Sequence, residues 1–103
     1  MTSHNQSSHY RLRVPYEIVH LIRDSHPQLK RKIRVALQRI IAYSYSSKSL
    51  RAELKGFRSF KVSRFRVIYR IASKDTIEIV AIGPRKTIYE ETFYLIQKKE
   101  KKQ

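Results

Sequence analysis

The sequence predicts an α+β domain in which an N-terminal strand and a helical hairpin pack on an antiparallel sheet, in the order β-α-α-β-β-β-α. Two observations carry this. Leu29, Ile33, Ala36, Leu37, Ile40 and Ile41 recur at helical spacing, and after Gly56 the apolar period drops to two. A third bounds it: 103 residues are enough for one modest core and no second domain.

Residues 1–9 (MTSHNQSSH) have no apolar periodicity and read as a flexible N-terminal tail. His4 and His9, with no Cys or carboxylate beside them, read as solvated side chains. Tyr10 to Val14 alternates as a short strand, and Pro15 ends it and suits the first turn of a helix. That helix carries Ile18, Leu21 and Ile22 at helical spacing, with His20 a half-buried surface residue. Ser25-His26-Pro27 breaks it and starts the second, whose other sides hold Lys30, Arg31, Lys32, Arg34 and Arg39. The break is too short for a crossover, so the two helices form a hairpin. Ser44 to Ser49 reads as loop and Leu50 to Leu54 as a short turn.

Ser59 to Ser63, Phe65 to Ala72 and Thr76 to Gly83 then read as three strands, with Ser73-Lys74-Asp75 a turn between the last two. Gly83-Pro84 stops the sheet. A last amphipathic helix carries Ile88, Thr92, Leu95 and Ile96, and the domain spans 10–97. Residues 98–103 read as a basic C-terminal tail.

Composition excludes several chemistries. With no cysteine there is no disulfide framework, thiolate metal site or cysteine nucleophile. Two glycines cannot build a phosphate-binding loop, and the eight carboxylates are scattered rather than gathered as a cation cage, so no metal and no cofactor are expected. No apolar run approaches the length of a membrane span and no signal peptide opens the chain, so the expected address is the cytoplasm, with no membrane partner.

Charge points elsewhere. Twenty-three Lys and Arg against eight Asp and Glu give +15, on a chain that is 41% hydrophobic and therefore foldable. A folded domain this cationic points to a polyanion. The cations are concentrated: Lys55, Arg58, Lys61, Arg64, Arg66 and Arg70 follow one another with no acid between. If Phe65, Val67, Tyr69 and Ile71 face the helices, Arg64, Arg66 and Arg70 face the other way, and Phe60 and Val62 inward put Lys61 outward. One side of the sheet is then a basic floor left open by the hairpin. Solvated faces ordinarily mix signs; this one does not, which favours an anion-binding surface, with RNA as its ligand. Tyr69 reads as core packing, and Phe93 and Tyr94 as core or partner contacts.

The run Leu54-Lys-Gly-Phe-Arg-Ser-Phe-Lys-Val-Ser-Arg-Phe-Arg-Val-Ile-Tyr-Arg-Ile71, followed by Ile79-Val-Ala-Ile-Gly-Pro-Arg-Lys-Thr-Ile-Tyr89, resembles the RelE/ParE superfamily of toxins of type II toxin–antitoxin systems, and within it the RelE branch. The resemblance covers residues 10–97. It implies the RelE-like fold and a metal-independent endoribonuclease that cuts mRNA, commonly on the ribosome, and so represses translation. It also implies a cognate antitoxin as protein partner.

Carried over by position, the resemblance marks Lys61, Arg66, Arg85 and Tyr89 as catalytic candidates. Arg58, Arg64, Arg70 and Lys86 are the accompanying RNA-binding candidates. Cleavage through the RNA's own 2′-hydroxyl suits this inventory. Arg66 and Arg85 would clamp the phosphate as charge grows on it, and a lysine crowded by other cations, Lys61, would move a proton. Tyr89 would stack on a base or hold the 2′-hydroxyl. Two alternatives stand beside this: a ParE-type inhibitor of DNA gyrase, and a non-catalytic basic domain that binds RNA or the ribosome.

Overall fold

A computed structural model of the chain describes residues 10–101; the tail expected at 1–9 lies outside the described residues. The elements run β1 (Arg11–Arg13), α1 (Tyr16–Arg23), α2 (Pro27–Ala42), β2 (Lys48–Ser49), a 3₁₀ turn (Ala52–Leu54), β3 (Arg58–Val62), β4 (Phe65–Ser73), β5 (Thr76–Pro84) and α3 (Arg85–Lys101). The predicted order stands, with one strand added. Residues 48 and 49, read as loop, pair with Ser59 and Arg58 at the edge of the sheet. Two residues carry no period, so their pairing is decided by β3 rather than by their own pattern.

The sheet order is β1-β5-β4-β3-β2. The three long strands form the predicted antiparallel meander, while β1 lies parallel to β5, with Leu12 beside Ile77. Parallel placement follows from the hairpin between them, which returns the chain to the same end.

Helix boundaries obey local chemistry. Pro15 caps α1 rather than opening it, its carbonyl accepting from the amides of Ile18 and Val19 at 3.0 Å. His26 caps α2, its Nδ1 accepting from the Gln28 amide at 3.2 Å, and Pro27 takes the first turn, where a missing N–H costs nothing. Helix α3 continues to Lys101, past the predicted end of the domain at Gln97. Lys, Gln and Glu are good helix formers, and cations suit a helix C-terminus.

Two apolar clusters sandwich the sheet. Ile33, Ala36 and Ile40 of α2 pack on Val62, Val67, Tyr69, Ile77, Ile79 and Ile82, with Ile18 and Ile22 of α1 at the margin. Leu21, at helical spacing with them, turns outward and is 45% exposed. On the opposite side, Ile88 of α3 packs on Ile68 and Ala81, joined by Leu50, Leu54, Phe57, Val80 and Tyr89. This corrects the expectation of an open basic floor: α3 lies across the middle of that face. Ile68 and Ala81 give the face an apolar centre, which a helix must cover. The consecutive apolar run Val67-Ile68-Tyr69 is the mark of a strand buried on both sides.

Two backbone features hold α3 and β3 in place. A methyl group at Gly83 would lie 2.9 Å from Cδ1 of Ile88, so the absent side chain lets α3 approach β5 closely. Gly56, at φ 95°, takes the left-handed turn into β3.

Candidate functional site

Cross-strand register decides which side chains share a face. Lys61 of β3 stands opposite Arg66 of β4, which stands opposite Gly83 of β5. The neighbouring row, nearer the centre of the sheet, is Lys48–Ser59–Ile68–Ala81. Both rows lie on the α3 side. The amide of Arg85, the first residue of α3, donates to the carbonyl of Arg64 at 3.1 Å, so the helix starts against the β3–β4 turn, beside the Lys61–Arg66 row. One turn later the hydroxyls of Tyr89 and Ser59 lie 3.1 Å apart. Lys61, Arg66, Arg85 and Tyr89, which are distant in sequence, are thus brought to one corner, with Lys86 exposed beside them.

That corner is electrostatically incomplete. The Nε of Arg66 is buried and has no hydrogen-bond partner. A buried donor without an acceptor costs roughly 1–3 kcal/mol. Among the described residues the ion pairs are Arg13 and Arg70 with Glu78, at 4.0 Å and 2.7 Å. Lys61, Arg66 and Arg85 make none. The carboxylate of Glu91 reaches toward the row at Gly83, where its Oε1 would lie 3.7 Å from a methyl group.

The other predicted residues go elsewhere. Arg58 stands in register with Tyr69 and so faces the helical hairpin. Its guanidinium donates to the carbonyls of Tyr45 and Ser47 at 2.8 and 2.7 Å and lies over the Tyr45 ring. It ties down the loop after α2. Tyr69, fully buried as read from sequence, does the same from below, donating to the Ser44 carbonyl at 2.6 Å. Arg70 is held by Glu78, in the row Arg13–Glu78–Arg70 away from the corner. Arg64 leaves the strand alternation altogether: it sits in the two-residue turn between β3 and β4, exposed, offering its backbone rather than its place in a row.

Lys48 on this face escaped sequence reasoning, as did Arg13, which shares the row of Glu78 and Arg70. Lys48, in the two-residue strand, shares the row of Ser59 and points to the α3 side. A dipeptide strand has no alternation to betray it.

A helical hairpin and a C-terminal helix thus lie on opposite faces of a small mixed sheet, with Lys61, Arg66 and Arg85 outside any ion pair among the described residues. The chain belongs to the family described as ParE toxin of type II toxin–antitoxin system, parDE, whose model matches residues 11–89. No individually curated protein matches the sequence.

Solved structures share the fold. A RelBE2 toxin–antitoxin complex from Mycobacterium tuberculosis aligns with TM-score 0.63 at 23% identity, covering 74% of this chain and 98% of that one. The E. coli toxin RelE, as a double Arg-to-Ala mutant in the free state, aligns with TM-score 0.68 at 15% identity over 87% of this chain and 96% of its own. The isolated E. coli RelE toxin gives 0.63 at 18% identity, over 84% and 98%. No helix among the described residues is long and apolar enough to cross a membrane.

Proposed function

We propose that this toxin is a metal-independent mRNA endoribonuclease, acting on the ribosome and restrained by a cognate antitoxin. The observation that carries the reading is the grouping of Lys61, Arg66, Arg85 and Tyr89 at one corner, with none of the three cations in an ion pair among the described residues. Phosphate oxygens are acceptors for such cations, and arginine binds them in a forked geometry.

In the reaction, a base removes the proton of the 2′-hydroxyl and the oxygen attacks the adjacent phosphorus. Arg66 and Arg85 hold the phosphorane as its charge grows. The 5′-oxygen leaves with a proton, giving a 2′,3′-cyclic phosphate and a 5′-hydroxyl. Lys61, opposite Arg66, is the proton carrier, and Tyr89, its hydroxyl anchored by Ser59, presents its ring to a base. Lys86 adds attraction for the backbone.

Inducible expression in bacteria tests this, wild type beside Arg66→Ala and Arg85→Ala, with mRNA 5′ ends mapped soon after induction. New ends inside coding regions are expected in wild type, falling by about 10²–10³ in each variant, the usual cost of losing one donor to a developing oxyanion. The second reading, gyrase inhibition, is favoured by the family model's own description as a ParE toxin. Growth arrest with DNA damage and no new RNA ends selects it. The antitoxin is tested by co-expressing a short reading frame found next to the gene, which should relieve the arrest.

A further inference from the structure

Cleavage through the 2′-hydroxyl needs a group that accepts a proton. Lys61, Arg66 and Arg85, as ammonium and guanidinium groups, are donors with no acceptor atom, and the Tyr89 hydroxyl is engaged with Ser59. None of these four takes the proton that the 2′-hydroxyl must lose. We propose that Glu91 takes it: its carboxylate is the general base of the cleavage, with the Lys61 ammonium as the acid. The inference rests on the ribonuclease reading above and adds to it a catalytic residue on α3.

Glu91 stands where such a base is needed. On a helix of about 3.6 residues per turn, Tyr89 and Glu91 fall on opposite flanks of Ile88, which packs down on Ile68 and Ala81. Tyr89 accordingly meets Ser59 on β3. Glu91 leans back toward the start of α3 and brings its Oε1 to 3.7 Å from the position a Gly83 methyl would take on β5. Gly83 is the register partner of Arg66, whose other partner is Lys61. Glu91 and Lys61 therefore flank Arg66 from opposite sides, two strand spacings or about 9–10 Å apart along the row. An in-line displacement asks for that placement, because the attacking 2′-oxygen and the departing 5′-oxygen lie on opposite sides of the phosphorus. Glu91 is exposed and makes no ion pair among the described residues, so its oxygens are open to substrate. The proton passes from the 2′-hydroxyl to Glu91 as the bond from O2′ to phosphorus forms. The bond from phosphorus to O5′ then breaks, and O5′ takes its proton from Lys61.

Single-turnover cleavage of an mRNA positioned on ribosomes tests this with the full chain. Glu91→Gln should lower the rate by about 10²-fold or more, the share that one proton-transfer group contributes. Its binding to a 2′-O-methyl copy of the same mRNA should hold or tighten, because one negative charge has left a cationic corner. Glu91→Asp, which keeps the carboxylate, should fall between Glu91→Gln and wild type. Glu90→Gln, at the exposed acid next in the chain, should cleave within about twofold of wild type. The decisive substrate carries sulfur in place of the 5′-oxygen. A thiol is a far stronger acid than an alcohol, so the thiolate departs without a proton. Sulfur should restore most of the rate lost in Lys61→Ala and none of that lost in Glu91→Gln. Circular dichroism melts report whether Glu91→Gln folds; Glu91→Asp carries the sulfur comparison if it does not. An undiminished rate in Glu91→Gln, an equal loss in Glu90→Gln, or recovery of Glu91→Gln on the sulfur substrate each overturns the base assignment and leaves the ribonuclease reading standing. Lys61→Ala that stays slow on that substrate overturns the pairing of base and acid. Wild type that cuts nothing overturns both the inference and the reading beneath it.

Discussion

The two faces of the sheet are built by opposite rules. The hairpin face buries Ile33, Ala36, Ile40 and six strand side chains, and its one strand arginine, Arg58, is consumed by backbone carbonyls of the loop after α2. The α3 face has a smaller apolar centre, Leu50, Ile68, Ala81 and Ile88, and beyond it lines up Lys61 and Arg66 outside any ion pair among the described residues. Burying an Ile side chain is worth roughly 1.5–3 kcal/mol, so the hairpin face holds most of the stability and the α3 face is free to carry uncompensated charge. Most of the apolar burial lies on one side of the sheet and the unpaired cations on the other.

The largest effect should come from cutting that division on its strong side. Ile40→Ala is expected to cost about 3 kcal/mol or more and to lower protection throughout the sheet. Ile88→Ala should cost about 2 kcal/mol, with lost amide protection concentrated in α3. Hydrogen exchange on both variants checks this. Equal global loss would mean that the two faces are one cooperative unit.

Arg58→Ala should follow, at about 1.5–3 kcal/mol, because two carbonyls lose a charged donor. Arg58→Lys should restore less than half, since an ammonium cannot span the carbonyls of Tyr45 and Ser47 as the guanidinium fork does. Normalised for folded protein, neither should alter RNA cleavage. A specific loss of cleavage would return Arg58 to the substrate.

Gly83→Ala should cost about 1 kcal/mol or somewhat more, the buried Ile88 having to leave its rotamer. A denaturant midpoint that does not move would mean that α3 sits less firmly than its 2.9 Å approach implies. The smallest effect is a gain. Ser63 opens the two-residue β3–β4 turn at φ 58°, and Ser63→Gly should stabilise by about 0.5–1 kcal/mol, raising Tm by a few degrees. No rise would show that the Ser63 hydroxyl, 3.4 Å from the Lys32 ammonium, offsets the backbone strain.

Much of this was legible in the chain. The helical stripe of α2, the strand alternation after Gly56 and the excess of cations over acids are properties of neighbouring residues, and each predicted its element. So did Tyr69, whose company of Val67 and Ile71 marked it as core. Of the cations assigned to the floor, register kept Lys61 and Arg66 at the corner with Arg85. Alternation alone was wrong about Arg64, because a turn residue has no face. It was silent about Glu78, which holds Arg70 from the next strand.

What the sequence by itself determined is therefore what depends on spacing: the α+β order, the hairpin, the strands and the charge. What only the tertiary structure decided is which of those charges meet. Lys61 and Arg66 pair because a two-residue turn sets their register, and Arg85 and Tyr89 join them because Gly83 lets α3 lie close. Lys48 enters the same face because β3 recruits a dipeptide with no pattern of its own. Periodicity is local, but a site is made by contacts between distant segments, and those are chosen by packing.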